Sequence, residues 1–71
     1  MQIEQLGRIL SDNLAKASPT DRVTTIHLFG IVYAKDIGSA AAHVAVAAGI
    51  EPSYGTEIRK GMKLSKFVTI R

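Results

Sequence analysis

Cysteine and tryptophan are absent from the 71 residues. Without cysteine there is no disulfide, no thiolate nucleophile and no thiolate metal site. Histidine occurs only at His27 and His43, sixteen positions apart, which is not a ligand spacing. No nucleophile–base pair, paired carboxylates or glycine-rich phosphate loop stands out, and Gly30, Gly38 and Gly55 are dispersed. The chain is therefore expected not to be an enzyme, with no catalytic residues, no metal and no cofactor. Long apolar runs are lacking too. The longest uncharged stretch, Ile37 to Ile50, has 14 residues, short of the roughly 20 a helix needs to cross a bilayer. No cationic segment followed by an apolar one opens the chain, and Glu4 sits where a leader would be basic. The expectation is a cytoplasmic protein without membrane contact. There is no internal repeat and no low-complexity run.

Acidic residues are missing from the last thirteen positions, which hold Arg59, Lys60, Lys63, Lys66 and Arg71 for a charge of +5. Residues 1–58 sum to −2, so the net charge of +3 is placed at one end. Such asymmetry suits a polyanion, nucleic acid first and a membrane surface second. The length implies one domain over 1–71. A chain this short buries only about 60% of its unfolded surface, yet 46% of its residues are hydrophobic. Self-association as a homodimer is the expected remedy.

Ile3, Leu6, Ile9, Leu10 and Leu14 recur at the spacing of one helical face, with Ala17 closing the row. Glu4, Arg8, Asp12 and Lys16 recur every four residues on another side, so an amphipathic helix is expected over 2–17. Ser18-Pro19-Thr20-Asp21 is a helix-start signature, with Ser18 as cap, Pro19 at the first position and Asp21 completing the box. Residues 22–36 mix signals. Val23, Thr24, Thr25, Ile26, Ile31, Val32 and Tyr33 favour a strand, while the row Val23, Ile26, Phe29, Tyr33 and Ile37 favours a helix. The start signal decides for a helix, buried and central, with Gly30 marking the close approach of another helix. Ser39 then caps a short helix over 40–48, which ends at Gly49. Pro52 opens a last helix that Gly61 stops. Leu64 to Arg71 forms a helical turn or a strand on the core. The fold class is all-α, a small domain of four helices.

Residues 40–61 carry the information. They read as helix, short turn and helix, with Ala45 small enough for close approach. Gly49 takes the positive φ of the turn. Ile50 fills the angle between the helices, and Val44, Ala48 and Ile58 supply the other buried contacts. The run Ala47-Ala48-Gly49-Ile50-Glu51-Pro52-Ser53-Tyr54-Gly55-Thr56-Glu57-Ile58-Arg59-Lys60-Gly61 resembles the helix-turn-helix of repressor/Cro-type (XRE-like) regulators. Ile26-His27-Leu28-Phe29-Gly30-Ile31-Val32-Tyr33-Ala34, ahead of it, is similar to a stretch in small bacterial HTH-like proteins. The chain departs from the repressor pattern at Gly55, where a bulky aliphatic is usual; that glycine is expected to weaken the helix and remove a core contact. It departs again in having its extra helix before the hairpin and only ten residues after Gly61.

The resemblance implies a DNA-binding transcriptional regulator whose last helix enters the major groove. Ser53, Thr56, Glu57 and Lys60 are the candidates for base edges, and Tyr54, Arg59, Lys63 and Lys66 for phosphates. Two of them have a plainer reading: Glu57 as a partner of Arg59 or Lys60 within the protein, and Tyr54 as a half-buried packing residue. His27 is expected in or near the core with one hydrogen bond, and His43 at the surface or near phosphate. Phe29 and Tyr33 are expected as core or dimer contacts. The expected partners are double-stranded DNA and a second copy. The alternative is the same fold used as a protein-interaction module, an anti-activator or accessory subunit, favoured by Gly55, Glu51 and Glu57.

Overall fold

The computed structural model describes residues 1–70 and is all-helical, as expected. The order is α1 (Ile3–Lys16), α2 (Arg22–Val32), α3 (Ala34–Ile37), α4 (Ala41–Ala47) and α5 (Gly55–Leu64), with 3-10 turns at Pro19–Asp21 and Pro52–Tyr54. No strand occurs among the described residues.

α1 follows its periodicity. Leu6 and Leu10 are fully buried, and Ile9 and Leu14 pack at the edge of the core. At its start the Gln2 backbone N–H donates to the Gln5 side chain at 2.9 Å, which satisfies one of the unpaired donors of the first turn. Gly7 lets α1 lie directly on α4, since a Cβ there would sit 2.6 Å from that of Ala47.

The start of α2 differs from its sequence signature. Ser18 does not cap it; its hydroxyl donates to Asp21 Oδ2 at 3.0 Å and shares a bond with Thr20 Oγ1 at 3.1 Å. The reason is the 3-10 turn at Pro19–Asp21, which delays the helix to Arg22 and puts Ser18 a turn too far away. Thr25 Oγ1 instead donates back to the Asp21 carbonyl at 2.8 Å. The single helix expected over 22–36 is also interrupted. Tyr33, at φ −108° and ψ 19°, separates α2 from α3. The β-branched pair Ile31-Val32 leads into the break, and such residues lose side-chain freedom in a helix. α2 is not buried all round. Ile26, Phe29 and Gly30 face inward, while Val23, Leu28 and Val32 are exposed, because only α1 and α5 flank it along its length.

α2 and α5 are the most intimate pair. A Cβ on Gly30 would overlap the Ile58 carbonyl oxygen, and one on Gly61 would overlap the His27 carbonyl oxygen. The two glycines let the backbones touch, as foreseen for Gly30 alone. Gly61 therefore does not stop the last helix, which runs on to Leu64. Gly55 is likewise no loss: a Cβ there would lie 3.0 Å from the Ala42 backbone. The bulky residue expected at this position has no room, because α4 crosses α5 at its first turn.

Ala45, Val44 and Ile58 are fully buried and join Leu6, Leu10, Ile26, Phe29, Ile37, Ala41 and Ala48 in one core. Ser39 makes no capping bond to α4, whose cap position is held by Ala40. After α5 a turn covers 65–67 and no regular structure follows to 70. Leu64, Phe67, Val68 and Ile70 are exposed, so no strand or further helix lies on the core there. Arg71 lies outside the described residues. No helix among them is long and apolar enough to cross a membrane.

Candidate nucleic-acid interface

The hairpin from α4 to α5 is built by its turn. Gly49 has φ +79°, a conformation in which a side chain is strained. Its N–H bonds the Val46 carbonyl at 2.9 Å, and the Ile50 N–H bonds the Ala45 carbonyl at 3.0 Å. This pair of bonds is the Schellman closure of a helix end, and it satisfies carbonyls that would otherwise be orphaned. Ile50 is partly buried against the core, filling the angle between the helices as expected. The chain then extends at Glu51 and tightens through Pro52–Tyr54 into α5.

Burial sorts the two faces of α5. Gly55, Ile58 and Gly61 point inward. Thr56, Arg59, Lys60 and Lys63 are exposed, and their spacing of three and four residues aligns them on one outer stripe. Ser53, one turn earlier, and Lys66, one turn later, are also exposed. Within the stripe Arg59 donates to the Thr56 hydroxyl at 3.3 Å. Six of the eight sequence candidates thus share the solvent side of the hairpin's second helix and its flanks.

Tyr54 and Glu57 are placed differently. Tyr54 is half-buried against the core, and the Arg22 guanidinium lies 5.6 Å from the centroid of its ring, a cation–π distance. Glu57 turns toward α2. Its Oε1 meets His27 Nε2 at 2.7 Å, and its Oε2 accepts from Lys60 Nζ at 3.3 Å. The hydrogen bond with His27, then that with Lys60, holds the Glu57 carboxyl below its ordinary value of 4.5. Both carboxylate oxygens are engaged inside the protein; the Lys60 contact belongs to the plainer sequence reading, and the His27 contact has no signal in the sequence. His27 is part-buried with one side-chain hydrogen bond, as expected.

Two cations have no counterpart among the sequence candidates. Lys35 of α3 lines a shallow groove with Arg59, Met62, Lys63, Ser65 and Lys66, so a residue from the acidic part of the chain joins the basic end. Arg22 arrives beside Tyr54 at the start of α5. Neither has a local signal, since only the packing of α2 and α3 along α5 brings them there.

The sequence matches the model of a family described as an HTH-like domain over residues 2–71. No curated protein and no solved structure matches it.

Proposed function

The chain belongs to the HTH-like domain family, and we propose that it binds double-stranded DNA as a transcriptional regulator, with α5 lying in the major groove. The observation that carries this reading is the outer stripe of α5, where Thr56, Arg59, Lys60 and Lys63 are exposed together. Ser53 lies in the turn that leads into α5, and Thr56 and Lys60 at its start and middle, where side chains reach base edges. Arg59, Lys63 and Lys66 are phosphate contacts, with Lys35 beside them in the same groove. Tyr54 contributes at the rim through the Arg22 cation on its ring, and Glu57 acts through Lys60. A two-fold dimer, which Leu28 and Val32 of α2 leave apolar surface to form, would offer two such helices to a palindromic site. A bacterial regulator is the setting that the resemblance implies, and the cytoplasm is the compartment expected from the sequence.

Two of the features that favour a protein-interaction module are accounted for by packing within the chain. Gly55 sits in close contact with the Ala42 backbone, and Glu57 is neutralised by its own neighbours. The exposed Phe67, Val68 and Ile70 still favour that reading.

Fluorescence anisotropy of a labelled pool of random-sequence duplexes tests DNA binding. With the four phosphate-facing cations Arg59, Lys63, Lys66 and Lys35, affinity falls roughly 100-fold between about 50 and 200 mM salt. Removing Lys63 or Lys66 lowers the salt slope by about 1 each. Absence of binding at low salt would reject the reading.

A further inference from the structure

His27 sits where α2 and α5 touch, yet it takes no part in the stripe described above. Its backbone is fixed, because its carbonyl is the group against which Gly61 packs. Glu57, one turn before Gly61 on α5, faces the imidazole, and Lys60 closes the cluster from the solvent side. The side chains of His27 and Glu57 are 30% and 24% exposed, and that of Lys60 is 60% exposed. Protons can reach the imidazole, and the outermost member is a residue of the proposed DNA-facing stripe.

We infer that His27 is a positioning residue for that stripe, acting through Glu57 on the Lys60 ammonium, so that protonating its imidazole strengthens binding to duplex DNA. The inference rests on the DNA-binding reading. With His27 neutral, Glu57 and Lys60 cancel, and the middle of α5 presents no net charge from this cluster. With His27 protonated, the cluster carries +1. The carboxylate then has a full cation at its nearer contact, 2.7 Å against 3.3 Å, and Lys60 is released toward the duplex. Because duplex favours the more positive state, binding and protonation reinforce one another.

The group that faces His27 is Glu57 of α5, with Lys60 on its other oxygen. Of the other elements packed on α2, the first turn holds Asp21 bonded to Ser18, and α3 holds Asp36 paired with the Met1 amine and Lys35 in the groove with Lys63. On α2 the other charge is Arg22, engaged over Tyr54. Lys16 of α1 lies beside Thr25 and Leu28, along a different groove. α4 carries His43, which is exposed and makes no ion pair among the described residues. His43 is therefore the one other histidine that could give a pH profile, and it needs its own control.

The test measures anisotropy with the random-duplex pool at constant ionic strength, from about pH 5.5 to 8.5. The intact protein is expected to gain affinity several-fold toward low pH, with a slope of at most about tenfold per pH unit for one proton. His27→Gln, which keeps a donor to Glu57 but cannot titrate, is expected to flatten the profile, and His43→Gln to leave it. Equal slopes for the intact protein and His27→Gln would overturn the inference while leaving DNA binding standing. Failure of the intact protein to bind at any pH would overturn both. A second measurement needs no variant. The fraction of His27 imidazole protonated at about pH 6.5, read by nuclear magnetic resonance, is expected to rise on adding duplex. An unchanged fraction at saturating duplex overturns the inference.

Discussion

A single carbon added at Gly61 would drive into the His27 carbonyl oxygen, and one added at Gly30 into that of Ile58. Both obstacles are backbone, held by helices on either side, so neither can swing away as a flexible side chain would. Gly61→Ala should therefore destabilise the fold by about 1–3 kcal/mol, the usual range for overpacking, despite the better helix propensity of alanine. Urea unfolding followed by circular dichroism measures it; a gain in stability would contradict the contact. Gly55→Leu, the change that the repressor pattern invites, should also destabilise, because the Ala42 backbone lies 3.0 Å from the missing Cβ. These residues show where the sequence is ambiguous. Gly30 is legible as a close-approach residue because it interrupts an apolar row. Gly61 follows a charged pair near the end of a periodic segment, and the same pattern describes a helix stop. Only the neighbour decides, and the neighbour of Gly61 is thirty-four positions away in the chain.

The elements are legible in proportion to how local their causes are. α1 has five apolar residues on one face, and the hairpin turn has Gly49 followed by Ile50; both follow from their own residues. The turn makes its own prediction. Gly49→Ala should cost about 1–2 kcal/mol, since φ +79° is retained only at the expense of a Cβ clash. Thermal unfolding reads it as a lowered midpoint. α2 is harder, because its residues are apolar around much of the circumference and its β-branched side chains favour a strand. Its break at Tyr33 has no sequence marker such as glycine or proline. The contact between α2 and α5 also carries a pH dependence. Glu57 is held below its ordinary carboxyl value by His27 and Lys60, so its contribution is present above about pH 4.5 and is lost as pH falls through the lower folded value. Thermal unfolding between about pH 6 and 3 should show a smaller acid loss for Glu57→Gln than for the intact chain. Equal losses would mean that Glu57 has no part in the acid response.

At the scale of the molecule, the charge asymmetry becomes a surface. The sequence places +5 in the last thirteen residues, but the fold determines which cations share a face. It aligns Arg59, Lys60 and Lys63 on α5, adds Lys35 from α3, and turns Glu57 away toward His27. The candidate stripe is thus largely legible, because helical spacing orders it, whereas Lys35, Arg22 and the role of His27 depend on contacts between distant segments. The same small size that limits the core leaves Leu28, Val32 and Phe67 exposed. If two copies associate through such residues, light scattering at micromolar concentration gives twice the chain mass of 7.6 kDa; the mass of one chain would contradict the dimer.

The proposed function depends above all on the outer stripe of α5 holding duplex DNA. Reversing the charge of that stripe tests it most sharply, with Lys60→Glu and Lys63→Glu together, on residues that are exposed and outside the core. The helical circular dichroism spectrum should be unchanged. Affinity for the random-duplex pool at low salt should fall by at least about 100-fold, from reversing two cations of the DNA-facing stripe. Undiminished binding by this folded variant would contradict the assignment of the stripe to DNA.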